Sequence, residues 1–346
     1  MSHSEKGNRR KFMQGLVMLG VGSQALVRSG DLKMAIAEAQ EAPGNTSAWP
    51  GMSYRKLGRT NFEASRLVFG CGATLSRSPK DHLLETAFRY GVNVFDVGYR
   101  SYYNNAETNM APFLKKHRDD IFLISKARLP HDLGPHEEIS VADAKAGAAK
   151  WLQEMESSLK ELKVEHVDAY YLMAIDNPSI LGSEEVYRTF QVAQQAGKVS
   201  YLGLSSHHNT ENVLRMAIKR GWYDLAQIAI TPGGWYDWKD KTVLEGSPTM
   251  AQLQPFLKQC SEAGIGLIGM KAGRFLAGRK FMGWGNPSAF DEHYDEKILA
   301  AKLSDFQRSY AFVLEHGLDA VNADMQNMLH LRENFAAAAQ SSEYFV

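Results

Sequence analysis

The sequence predicts an α/β fold, a (β/α)8 TIM barrel with an N-terminal hairpin and long loops on its C-terminal face. Three observations lead there. From Tyr54 onward, short apolar runs alternate with longer amphipathic segments, turn residues separate them, and the beat repeats eight times. Runs such as Arg66-Leu67-Val68-Phe69-Gly70 and Ile265-Gly266-Leu267-Ile268-Gly269 are apolar on both faces, as buried parallel strands are, and their glycines leave room for a filled interior. No Gly-x-Gly-x-x-Gly opens a helix after the first strand, which sets aside the doubly wound open sheet as the alternative. Eight strand–helix units in strict alternation then close on themselves.

Taken in order, the chain begins with Asn8-Arg9-Arg10-Lys11-Phe12-Met13-Gln14 ahead of a mildly apolar run, 15–27, that carries three glycines and one serine. Paired arginines before a weakly hydrophobic, glycine-bearing run resemble a twin-arginine export signal. The run falls short of the roughly 20 residues a membrane-spanning helix needs. The expected partner is the twin-arginine export machinery, the expected destination the periplasm, and cleavage is expected near Ala37 or Ala39. A basic, cytoplasmic N-terminus is the other reading. Residues 1–52 are therefore assigned to signal and linker, and 53–346 to the barrel.

Within the barrel, Tyr54-Arg55-Lys56-Leu57-Gly58-Arg59-Thr60-Asn61-Phe62 reads as a hairpin closing its bottom. Strands are expected to begin near Arg66, Val92, Ile121, His166, Ser200, Tyr223, Ile265 and Leu318. Helices are expected over Lys80–Tyr90, Asn104–Arg118, Val141–Lys163, Glu184–Gly197, Thr210–Gly221, Met250–Gly264, Asp295–Gly317 and Met328–Gln340. Long loops follow two of the strands: 231–249, with Trp235, Tyr236 and Trp238, and 274–290, with Trp284. Both belong at the C-terminal mouth, where barrels of this kind build their sites.

Composition narrows the classes of function. Lys+Arg 39 against Asp+Glu 39 leaves a net charge of +0, which argues against nucleic acid or an anionic membrane as the main partner. The two cysteines, Cys71 and Cys260, fall on an early strand and a late helix and make no disulfide framework. The histidines, including His131 and His136, form no metal-ligand pattern, so no metal is expected.

One stretch carries chemistry. Val92 to Lys126 reads strand, loop, helix, strand; Asp96 ends the first strand, Lys126 ends the second, and Tyr99, Tyr102 and Tyr103 lie on the loop between. A carboxylate and an ammonium at neighbouring strand ends lower the cost of holding each other charged, and the lysine can lower the pKa of an adjacent phenol. A structural ion pair beside surface tyrosines is the plainer reading of the same residues.

In this context the chain resembles the aldo-keto reductases. The resemblance covers roughly Met52 to Gln340 and rests on Tyr-Arg-Lys-Leu-Gly-Arg-Thr (54–60), Asn-Val-Phe-Asp (93–96), Ile-Ser-Lys (124–126), Val-Asp-Ala-Tyr-Tyr-Leu (167–172), Gly-Leu-Ser-Ser (203–206) and Arg-Glu-Asn-Phe (332–335), in that order. It implies hydride transfer from NADPH to a small aldehyde, ketone or sugar-like compound, with a tyrosine as proton donor. Asp96 and Lys126 would be the pair that tunes this phenol, and Tyr102 or Tyr103 the donor, with Glu107 as the register mark. Met173 stands where the family carries its substrate-orienting histidine, and a thioether cannot donate that hydrogen bond. His207 and His208 are either substitutes for it or loop residues.

The resemblance also implies a cofactor site. Ser205 would hold the nicotinamide carboxamide, with Ser206 in place of the usual asparagine, and Gln227 ends strand six. The expected stacking aromatic is replaced by Ile230, with Trp235 a candidate to reach in from the loop. Lys271 and Arg274 would neutralise the pyrophosphate, and Glu333 and Asn334 would meet the adenine. Asp324 and His330 occupy the positions that usually grip the 2′-phosphate, so NADP and NAD both stay open as the cofactor. The alternative function is a barrel that keeps the scaffold and binds without turnover.

Overall fold

The alternation predicted from sequence folds into a closed barrel. A computed structural model describes residues 49–277 and 286–344. An antiparallel hairpin, β1 (Tyr54–Lys56) with β2 (Glu63–Ser65), precedes β3 (Leu67–Gly70), β4 (Val94–Asp96), β5 (Phe122–Ala127), β6 (Val167–Leu172), β7 (Val199–Ser206) and β8 (Leu225–Thr231). After a second hairpin of β9 (Gly234–Asp237) and β10 (Thr242–Val243) come β11 (Gly266–Met270) and β12 (Ala320–Asp324). Eight strands, β3 to β8 with β11 and β12, pair in parallel; β12 joins β3 through Val321↔Leu67, and β7 joins β8 through Gly203↔Leu225, which closes the ring. Each of the eight begins within two residues of its expected start.

The first hairpin seals the N-terminal end, as expected. Leu57 enters the core cluster of Val68, Val94, Phe122, Ile124, Tyr171, Leu225 and Ile268. Full burial of such a side chain stabilises by about 2 kcal/mol. The Arg59 amide donates to the Gly264 carbonyl at 2.8 Å, and the Tyr201 hydroxyl donates to the Thr60 carbonyl at 3.2 Å. A recurring device trims the same end. Asp168, Asp224 and Asp319 each stand just before or at the start of a strand and accept the backbone N–H of Leu123, Leu202 and Leu267 on the strand before, at 2.7, 2.9 and 2.8 Å.

Several boundaries differ from the expectation, for local reasons. The expected helix Asp295–Gly317 is two helices, Glu296–Ala300 and Asp305–Glu315, because Ser304 and Gln307 form a capping box that starts a new one. The loop at Tyr99 winds into a one-turn helix, Arg100–Tyr103. Trp49, assigned to the linker, stacks on Tyr90 at 4.3 Å and meets Phe335 edge-on at 4.8 Å, so packing starts ahead of residue 53. Cys71 opens the short helix Cys71–Leu75 rather than lying on a strand; it and Cys260 are free and buried. The expected export signal, its cleavage sites and Trp284 lie outside the described residues.

Candidate active site

The carboxyl ends of the parallel strands converge on a cavity of about 210 Å³. Asp96, the last residue of β4, is its buried centre. Both its oxygens contact the Lys126 ammonium from β5, which is itself buried. Asn322, from β12, donates its amide to Oδ2, and the Gln227 amide of β8 approaches the same oxygen at 3.4 Å. Four strands thus meet on one carboxylate. Asn322 was missed in the sequence; its signal is a polar side chain inside the otherwise apolar run Ala320-Val321-Asn322-Ala323.

The two candidate tyrosines separate. Beyond Asp96 the chain stays tied to β5 through Val97 N–H to the Ile124 carbonyl at 2.9 Å and Tyr99 N–H to the Lys126 carbonyl at 3.0 Å. The helical turn 100–103 then swings successive side chains by about 100°. Tyr102 is 41% exposed and packs under the Arg128 guanidinium, 5.4 Å from its ring centre. Tyr103 turns inward, its ring 5.8 Å from Lys126 Nζ. The ring fills a slot made by two glycines: a Cβ at Gly72 would stand 2.6 Å from it, and one at Gly98 2.9 Å. The lysine was expected to lower this phenol's pKa. Instead it is raised well above the ordinary tyrosine value, by burial first and then by the Asp324 and Asp96 carboxylates. Lys126 spends its charge on Asp96, so Tyr103 keeps its proton.

The remaining residues divide. Ser205 lines the cavity, and its Oγ accepts the Ala174 N–H at 2.9 Å. It pairs in register with Gln227, whose Oε1 is buried without a partner among the described residues. Met173 lines the cavity, with its backbone N–H donating to the Ala127 carbonyl at 2.9 Å. Ser206 lies outside the lining; its hydroxyl donates to the His208 carbonyl at 2.9 Å and meets the Thr210 hydroxyl at 3.1 Å. Lys271 and Arg274 both line the cavity, joined by a turn from Arg274 N–H to the Lys271 carbonyl at 2.8 Å. Lys271 adopts a φ of 71°, uncommon for a side-chain-bearing residue and found mostly in turns and at functional sites. Asp324 also faces the cavity; packing around the mouth raises its pKa, with Lys271 pulling it back.

Glu333 and Asn334 sit on the helix Met328–Ala339, outside the lining. The Glu333 carboxylate accepts the Ser304 hydroxyl and its carbonyl accepts the Gln307 amide at 3.3 Å, so it holds the adjoining helix start. The aromatic that reaches the cavity is Trp238, not Trp235. Trp235 is drawn into β9, paired with Ile230 and 6% exposed, and a hairpin carries Trp238 over the mouth. Lys241 and Lys271 lie over the Trp238 ring, 3.2 and 4.8 Å from its centre. A second cavity of about 660 Å³ shares Tyr102, Met173, His207 and Trp238 with the first and runs on past Arg128 and Lys150.

A closed parallel barrel with a buried Asp–Lys pair and an inward phenol at the carboxyl ends of its strands is an arrangement that can carry proton transfer. The sequence matches the model of the aldo/keto reductase family over residues 66–279, and the chain belongs to that family. Among curated relatives, the L-glyceraldehyde 3-phosphate reductase of Escherichia coli K12 is 25% identical over 189 residues, covering 51% of this chain and 52% of that protein. Probable aldo-keto reductase 1 of Glycine max is 30% identical over 159 residues, 43% of this chain and 44% of that one. The chain spans about half the length of the curated relatives it matches. A solved putative aldo-keto reductase from Pseudomonas aeruginosa superposes with a TM-score of 0.59 at 20% identity, covering 87% of this chain and all of that one. An aldo-keto reductase from Klebsiella pneumoniae, solved with NADPH, does so at 0.58 and 18%, covering 83% and 89%. At these identities the solved structures speak for the fold.

Proposed function

We propose that this protein is an oxidoreductase that reduces a small carbonyl compound with a nicotinamide dinucleotide, using Tyr103 as the proton donor. The single observation that carries the reading is the Tyr103 ring held between Gly72 and Gly98 beside the buried Lys126–Asp96 pair. When bound, the dihydronicotinamide supplies a hydride to the carbonyl carbon. Tyr103, which keeps its proton until then, gives it to the oxygen as charge develops there. Asp96, fixed by Asn322 and Gln227, keeps Lys126 in place.

The residues fit the nicotinamide end of such a cofactor. The Ser205 hydroxyl keeps a hydrogen to donate, and Gln227 Oε1 has no partner among the described residues. Its Nε2 faces Asp96, which sets the amide the right way round. A free donor beside a free acceptor matches a primary carboxamide. Trp238 supplies an aromatic surface at the mouth, and Lys271 and Arg274 supply positive charge for phosphate. The fit stops at the 2′-phosphate: Asp324 is acidic, and burial lowers the pKa of His330, which leaves it uncharged at neutral pH. NADH and NADPH are therefore compared directly.

Tryptophan fluorescence titrated with each nucleotide should show saturable quenching, and absence of quenching by both would overturn the reading. With a bound nucleotide, Tyr103→Phe should cut turnover by about a hundredfold or more and leave affinity unchanged. Saturable binding without turnover of any aldehyde would favour the alternative of a binding barrel. For residues 1–52 the proposal is twin-arginine export to the periplasm: Arg9→Lys with Arg10→Lys should hold the protein in the cytoplasm on cell fractionation, and unchanged distribution would reject it.

A further inference from the structure

The cavity beside Tyr103 lacks the imidazole that the family keeps on the fourth barrel strand, and the structure offers one from the fifth. Met173 is the first residue past β6, and His207 is the first residue past the adjoining β7. Both line the cavity beside Tyr103, and both border the second, so they stand together at the junction where a carbonyl compound would enter. We propose that His207 donates the hydrogen bond to the substrate's carbonyl oxygen that Met173 cannot give, so that the orienting imidazole has moved one strand round the barrel. The inference rests on the reductase reading above.

Several other donors on the lining have tasks of their own, Lys271 and Arg274 at the phosphate among them. Lys126, Gln227 and Asn322 all serve Asp96. Ser205 faces the carboxamide position, and Tyr102 is turned towards Arg128. The His207 imidazole leans on the Trp238 ring, with centroids 5.3 Å apart and a 52° tilt, and has no hydrogen-bond partner among the described residues. Its environment suits the task. Burial and the positive neighbours Lys271, His208, Lys241 and Arg128 push its pKa down to about 3, so the ring is neutral at any working pH. A neutral imidazole carries one N–H to offer, and it does not compete with Tyr103 as a proton source.

The test uses the full chain loaded with NADPH and 4-nitrobenzaldehyde as the probe carbonyl. His207→Ala should lower kcat by about tenfold to a hundredfold with NADPH affinity unchanged, His207→Gln should recover part of the loss, and Met173→His added to His207→Ala should restore it. A readout independent of turnover uses acetate, whose carboxylate oxygen stands in for the developing oxyanion, on the NADP-loaded protein. Acetate should shift the ¹⁵N signal of His207 and bind about tenfold more weakly to His207→Ala. Wild-type turnover and wild-type acetate affinity in His207→Ala would overturn this inference alone. Failure of both NADPH and NADH to bind would overturn the reductase reading and this inference with it.

Discussion

Tyr102 and Tyr103 are neighbours in sequence with opposite placements, and the difference is set by space. Tyr103 needs the room left by two absent side chains, whereas Tyr102 lies across the surface under Arg128. Gly72→Ala places a Cβ 2.6 Å from the Tyr103 ring, so the phenol must leave its slot. Reductase activity should fall about tenfold or more while the melting temperature moves little, since one ring at the cavity wall and not the barrel core is displaced. Turnover equal to wild type in Gly72→Ala would clear Tyr103 of the donor role. Tyr102→Phe, by contrast, should change turnover by less than about threefold. The sequence narrowed the donor to these two residues but could not choose, because the choice depends on a one-turn helix and on a slot shared between Gly98, beside the loop, and Gly72, on an earlier element.

At the level of elements, the strands that were legible are those in which local pattern and tertiary role coincide. A buried parallel strand is apolar whichever barrel it joins, so β3 to β8, β11 and β12 lie where the pattern put them. The segment after β8 was less legible. Trp235 and Trp238 look equivalent in sequence, but antiparallel pairing of Ile230 with Trp235 buries the first, and the turn at Asp237 presents the second. Asp168 belongs to this scale too. It appears in the Val-Asp-Ala-Tyr-Tyr-Leu motif that carries the resemblance, yet its carboxylate caps the Leu123 N–H and pairs with Arg118 at 2.9 Å, at the end of the barrel away from the cavity. Asp168→Ala should cost about 1–3 kcal/mol in urea unfolding, with kcat unchanged in the folded protein. A fall in kcat without a fall in stability would contradict this placement.

For the molecule as a whole, one buried carboxyl couples stability to pH. Glu107 is 1% exposed, bonded to the Ser125 hydroxyl at 2.7 Å, and desolvation raises its pKa from 4.5 to about 7. Because the folded pKa lies above the unfolded one, the folded state holds the proton more tightly between these values. The stability this contributes is present in full below about pH 4.5 and is lost as pH rises through about 7. The span corresponds to about 3 kcal/mol. Glu107→Gln should flatten the fall in unfolding free energy between pH 5 and pH 8, which denaturant titration at each pH would read. An unaltered slope would show that Glu107 is not the group responsible.

What the sequence determined by itself is the barrel, its hairpin, and the strands that carry Asp96, Lys126, Ser205 and Gln227. These follow from periodicity and turn chemistry, which act over a few residues and survive any rearrangement further away. Only the tertiary structure decided that Asn322 and Gln227 both reach Asp96, that Tyr103 and not Tyr102 turns inward, and that Trp238 and His207 line one cavity with Met173. Those outcomes depend on closure of the ring, which brings β12 beside β3 and β8 beside β7, and no local pattern encodes the distance between residues hundreds of positions apart.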